Sequence, residues 1–127
     1  MQAQVVRLNP RDSVRVDAER IQKLYIDLGP VRAEDAICRA IEELAQRLFR
    51  CDGLWTARDE KRLGTCLRAL IALSNEIGLL SVSAVASDVL IVLARQDEAA
   101  IAATLARLRQ VGEASLCGVW EVGDISG

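Results

Sequence analysis

From Leu67 to Leu93 the chain reads LRALIALSNEIGLLSVSAVASDVLIVL, with apolar side chains recurring at intervals of three and four. A strand alternates its faces every second residue and cannot use that spacing. A helix can, and it gathers Leu63, Leu67, Leu70, Ser74 and Ile77 on one side while Arg68 points away. No proline follows Pro30, so nothing interrupts helical patterning in the rest of the chain.

Aromatic residues are only 3% of the chain (Tyr25, Phe49, Trp55 and Trp120), so a core must come from Leu, Ile, Val and Ala. That is the material of packed helices. The 127 residues, 51% hydrophobic and 27% charged, suffice for one folded domain.

The expected elements follow from caps and periodicity. Asp17 caps a first short helix carrying Ile21, Leu24, Tyr25 and Leu28, which Gly29-Pro30 ends. Ile37, Ile41, Leu44 and Leu48 define a second helix, predicted to stop near Cys51-Asp52-Gly53. Trp55 then falls in a loop, and Thr56 is the expected N-cap of a third helix running to about Gly78. A fourth helix is expected over 81–95, apolar around nearly its whole circumference. Asp97 caps a fifth, carrying Ile101, Leu105, Leu108 and Val111 towards Val119 and Trp120. Gly112 and Gly118 weaken its later turns.

Short links between long amphipathic helices imply antiparallel neighbours. The expected fold is all-α: an up-and-down antiparallel four-helix bundle with a short additional N-terminal helix, over residues 17–120. Residues 1–16 are expected to be an extended or disordered arm, and 121–127 a loose tail. QVVRLNP has strand composition, but a lone strand without a partner is marginal.

The net charge of −2 and pI of about 5.2 argue against a nucleic-acid partner. The N-terminus has no charged start followed by an apolar run, so a cytoplasmic location is expected. Arg68, Glu76 and Asp88 interrupt the most apolar stretch, which argues for two buried helices and against a membrane span. The four cysteines, Cys38, Cys51, Cys66 and Cys117, form no CxxC pair, and histidine is absent. Free thiols are therefore expected, with no metal and no cofactor. Glu42-Glu43 and Asp59-Glu60 are neighbours in sequence and diverge on a helix, so neither is a good acid/base pair. No enzymatic activity is expected.

The run Arg68–Gly78, RALIALSNEIG, resembles the signature helix of histidine-containing phosphotransfer domains, approximately H-x-L-K-G-S-x-x-x-L-G. Leu70, Ile77 and Gly78 fall on that pattern, and Ser74 lies one place beyond the family's serine. VASDVLIVLARQDEAAIAATLARL resembles the family's next two helices, so the likeness covers about Ala57 to Leu108. The departures are chemical. The phosphoacceptor histidine falls on Arg68, the lysine on Ile71, the glycine on Ala72 and the serine on Leu73. A guanidinium offers no lone pair to a phosphoryl group, so the resemblance implies a degenerate member that keeps the scaffold without the transfer.

Around Arg68 a helical wheel sets Lys61, Thr65, Ala72 and Asn75 outward, with Ile71 on the flank. The family's usual partners, response-regulator receiver domains, present an acidic pocket to this face. The resemblance therefore implies docking of a receiver domain, or of a histidine kinase, with arginine as a permanent cation. Against that stands the ordinary role of an exposed arginine, a solvated surface residue. A second expectation is a homodimer through the fourth helix, whose Val82, Val85, Val89, Leu90, Ile91, Val92 and Leu93 exceed the needs of one core. An apolar ligand pocket is a third, with no polar anchor in the sequence. Arginine far outnumbers lysine (only Lys23 and Lys61) and alanine is abundant, which points to a bacterial genome rich in G and C.

Overall fold

A computed structural model describes the backbone of residues 5–9 and 14–126, and the side chains of residues 14–119. In chain order it contains β1 (Val5–Asn9), β2 (Val14–Asp17), α1 (Ala18–Leu28), α2 (Pro30–Thr56), α3 (Glu60–Glu76), α4 (Leu80–Arg95) and α5 (Glu98–Ser126). The chain is mostly helical, as expected, but it is not purely α.

The described part of the arm is extended, as expected, but it is paired rather than alone. β1 and β2 pair antiparallel, Val5 opposite Asp17, Val6 opposite Val16 and Arg7 opposite Arg15, with an irregularity that sets Asn9 against Val14. The partner missing from QVVRLNP is the VRVD segment just downstream. Val14 and Val16 are fully buried and Arg15 between them is exposed, the two-residue period of a strand with one dry face. The dry face is covered by helices, since β2 packs on α4 and α5. The Arg15 amide donates to Ser81 Oγ at 2.7 Å, tying the strand to the first turn of α4. Residues 1–4 and 10–13 of the expected arm lie outside the described residues.

Asp17 ends β2 and caps α1, its carboxylate accepting from the Arg20 amide at 3.2 Å. Its own amide donates to the Gly78 carbonyl at 2.7 Å. Gly78 has φ +75°, and a Cβ there would lie 2.9 Å from the Asp17 carbonyl oxygen. Only glycine allows both the turn and the approach. Arg20 Nε donates to the Glu76 carbonyl at 2.8 Å, which occupies an acceptor left open at the end of α3.

Three expected boundaries move. α2 continues through Gly53 and Trp55 to Thr56, so Trp55 sits in its last turn and not in a loop. Gly53 costs helix propensity but stops nothing, because the helix goes on packing against α3. Thr56 is no cap; its hydroxyl donates to the Asp52 carbonyl within α2. Asp59 caps α3 instead, accepting from the Arg62 amide at 3.2 Å. Arg58 takes the left-handed turn between them and stacks 4.2 Å above the Trp55 ring. At the other end α5 runs to Ser126, so the helix replaces the loose tail over 121–126. Gly112, expected to weaken α5, is buried, and Leu48 of α2 packs where its Cβ would stand.

α2 packs on α3, α3 on α4 and α4 on α5, and α5 returns to α2. Leu48 meets Gly112, Asp52 pairs with Arg109 at 2.7 Å, and Arg58 pairs with Glu98 at 3.5 Å. The partners descend on α5 as the residues ascend from α2 into its following turn, which sets α2 and α5 antiparallel. The core between the helices holds Ile37, Leu44, Leu63, Leu67, Leu70, Val89, Ile101 and Leu108. The surplus apolar surface of α4 is explained by its neighbours: α3, α5 and β2 all cover it. Val82, Val85, Val89 and Leu93 are buried, Leu90 and Val92 are half-buried, and Ile91 alone of the seven is exposed. Among the described residues, no helix is long and apolar enough to cross a membrane.

Candidate functional site

All six residues predicted for the binding face lie on α3. Lys61, Thr65, Arg68, Ala72 and Asn75 are exposed, whereas Ile71 is half-buried and packs against the core. Ile71 thus serves mainly to widen the apolar stripe of its helix.

The face divides into two clefts. Arg68 lines a shallow one between α3 and the end of α4, with Glu60, Lys61, Gly64, Leu93 and Gln96. Its guanidinium lies back along α3 over Gly64, its nitrogens 3.5 and 3.6 Å from where a Cβ at 64 would stand. Side chains on a helix lean towards its N-terminus, and the guanidinium keeps ordinary van der Waals distance from that point.

Thr65 turns to a second cleft of about 410 Å³, where α3 meets α2. Arg47 and Arg50 enter it from α2, and Lys61, Arg62 and Cys66 from α3. Arg47 is held by Glu43 at 2.9 Å, and Arg62 lies 3.5 Å from Asp59. Arg50, Lys61 and Arg68 form no ion pair among the described residues. Lys61 lines both clefts and joins them into one cationic ridge, on a chain whose net charge is −2. Ala72 and Asn75 line neither cleft.

Beneath the second cleft two thiols meet. Cys51 and Cys66 are both buried, with Sγ atoms 3.8 Å apart. Cys66 Sγ also lies 3.4 Å from the Arg47 carbonyl oxygen. The Cys51 S–H, hydrogen-bonded to Cys66, together with the charges of Arg47 and Arg50, brings the Cys66 thiol down to about 7. The same contact and burial push Cys51 upward. Cys38 and Cys117 are exposed and free. Among the described residues, no group of three or more His, Cys, Asp or Glu side chains is placed to hold a metal ion.

Arg47, Arg50 and the thiol pair were absent from the predicted face. Their signal lies in the turn. Residues equally far from an antiparallel helix–helix turn face one another, and a turn centred on Arg58 sets Cys51 and Arg50 opposite Cys66 and its neighbours. Placing the end of α2 near Gly53 moved that centre and hid the pairing.

No family model, curated protein or solved structure matches this chain.

Proposed function

We propose that this protein is a non-catalytic interaction module of the histidine-phosphotransfer type, one that lacks the phosphoacceptor histidine and docks an acidic protein surface in two-component signalling. In this reading α2–α5 form an up-and-down antiparallel four-helix bundle, with α1 and the strand pair attached. The cyclic order of helix contacts and the opposed course of α2 and α5 support that arrangement. The observation that carries the function is the cationic ridge of Arg50, Lys61 and Arg68, which form no ion pair among the described residues on a chain of net charge −2. Positive charges gathered on one surface favour an acidic concavity, and they steer its approach before contact. A receiver domain of a response regulator, in the cytoplasm of a bacterium, presents such a concavity; a histidine kinase is the other candidate.

Titration of purified receiver domains and kinase cytoplasmic regions against wild type, Arg68→Ala and the double variant Arg50→Glu/Lys61→Glu tests the reading. Binding that weakens at least tenfold in the double variant, and weakens as salt rises, is expected. Equal affinity of wild type and Arg68→Ala removes Arg68 from the mechanism. Absence of binding to every receiver and kinase ends the proposal.

A self-associating bundle is the second reading. The exposure of Phe49 (83%), Ile26 (81%), Val31 (73%) and Ile91 (50%) favours it. Light scattering at micromolar concentration decides it, since a strict monomer counts against self-association.

A further inference from the structure

The thiols beneath the cleft have a geometry of their own. Cys51 on α2 and Cys66 on α3 are brought within 3.8 Å, Sγ to Sγ, by the antiparallel packing around the Arg58 turn. A disulfide requires about 2.05 Å, so a closure of about 1.8 Å between the sulfurs turns the contact into a bond.

The two sulfurs are not equivalent. Cys66 lines the 410 Å³ cleft and is reached from solvent through it, whereas Cys51 does not line it and stays behind Cys66 in the core. Arg47 and Arg50 stand at the cleft beside Cys66, and positive charge favours the thiolate that acts as nucleophile. Cys51 donates its S–H to Cys66, so it is already aimed at the sulfur it would join.

We propose that Cys66 and Cys51 are a redox couple in which Cys66 reduces a hydroperoxide entering the arginine-lined cleft and Cys51 resolves the product as an intramolecular disulfide. The Cys66 thiolate attacks the terminal peroxide oxygen. The O–O bond breaks, the departing alkoxide takes up a proton to leave as an alcohol, and Cys66 becomes a sulfenic acid. Cys51 loses its proton and attacks the Cys66 sulfur; the S–O bond breaks, hydroxide takes up the proton as water, and the S–S bond forms. Two thiols surrender two electrons and two protons, and the hydroperoxide becomes alcohol and water. With hydrogen peroxide both products are water.

Peptide mapping tests this on the full chain. The reduced protein is treated with stoichiometric hydrogen peroxide, denatured in a maleimide that labels free thiols, and digested with trypsin. Cleavage after Arg50, Arg58, Arg62 and Arg68 separates CDGLWTAR from LGTCLR. The expected product is these two peptides joined, lighter by two hydrogens and carrying no label, while the reduced control labels both. Cys66 should be consumed at least several-fold faster than Cys38. The Cys51→Ser variant should accumulate a Cys66 sulfenic acid that a dimedone probe captures, and wild type should not. Labelled Cys51 and Cys66 after Cys38 and Cys117 have oxidised would overturn the proposal. A Cys66 sulfinic acid beside a free Cys51 would overturn it as well. The wild-type map decides the question even where Cys51→Ser fails to fold.

Discussion

The Asp17 amide and the Gly78 carbonyl meet at 2.7 Å, and the Asp17 carbonyl oxygen stands 2.9 Å from the place a Gly78 Cβ would take. One glycine thus fastens the exit of β2 to the α3–α4 turn. Gly29 has nearly the same φ, +80°, but its Cβ would meet nothing within 4 Å. The two glycines therefore differ in what surrounds them. Gly29→Ala should cost about 2 kcal/mol, for the backbone alone, because φ +80° with ψ 161° is a region that side chains almost never adopt. Gly78→Ala should cost about 3 kcal/mol, because the clash is with backbone that the hydrogen bond holds in place. Urea denaturation measures both, and a Gly78→Ala loss of no more than about 1 kcal/mol would show that the contact carries no energy.

Val16 is fully buried beneath α4 and α5, and Arg15 beside it is exposed. Val16→Ala should therefore lower stability by about 2 kcal/mol through lost burial and a residual cavity, while Arg15→Ala should stay within about 0.5 kcal/mol. Ser81→Ala removes the acceptor of the Arg15 amide and should cost about 1–2 kcal/mol. Thermal unfolding of the three variants gives the ranking. A Val16 variant as stable as the Arg15 variant would mean that β2 is not part of the core.

α1 and α5 were the most legible helices because each keeps an apolar stripe after a capping acid: Ile21 and Leu24 after Asp17, and Ile101 and Leu105 after Asp97. β2 was not legible, because Val14 and Val16 are too few to announce a strand, and their partners lie on helices far along the chain. α4 was read as helical, but its excess of valine and leucine suggested a second subunit. Three intramolecular neighbours cover it, a count no local pattern encodes. Of the candidate site, the outward course of Lys61, Thr65, Arg68, Ala72 and Asn75 was legible from periodicity. The contribution of α2 was not. It depends on where the α2–α3 turn is centred, and Gly53 was a false stop because packing outweighs its helix propensity of about 1 kcal/mol.

Asp59 and Thr56 distinguish the true start of α3 from the expected one. The Asp59 carboxylate accepts from the Arg62 amide, whereas the Thr56 hydroxyl bonds back to the Asp52 carbonyl on an exposed turn. Asp59→Ala should cost about 1 kcal/mol, as loss of a cap does. Thr56→Ala should cost less than about 0.5 kcal/mol, since threonine has low helix propensity and its hydroxyl satisfies an acceptor open to water. Equal effects in chemical denaturation would place the boundary elsewhere.

Cys66 makes stability depend on pH in a window where this chain has little else to titrate. Histidine is absent, and the Cys66 thiol sits at about 7 against an ordinary 9.0 because Cys51, Arg47 and Arg50 favour its thiolate. A thiol whose folded pKa is depressed binds fewer protons folded than unfolded, so stability should rise with pH between about 7 and 9 and lack this contribution below 7. Cys51 is displaced upward by its bond to Cys66 and by burial, so it keeps its proton in the folded state above 9 while the unfolded chain releases it. The rise should level off and reverse there. The α-amino group also titrates near pH 8, but it is common to wild type and Cys66→Ser. The difference between their melting temperatures, followed under reducing conditions from pH 6 to 10, therefore isolates the thiol pair. It should widen from 7 to 9 and narrow above. A difference independent of pH would mean that Cys66 keeps an ordinary thiol and that the arginines of the cleft do not reach it.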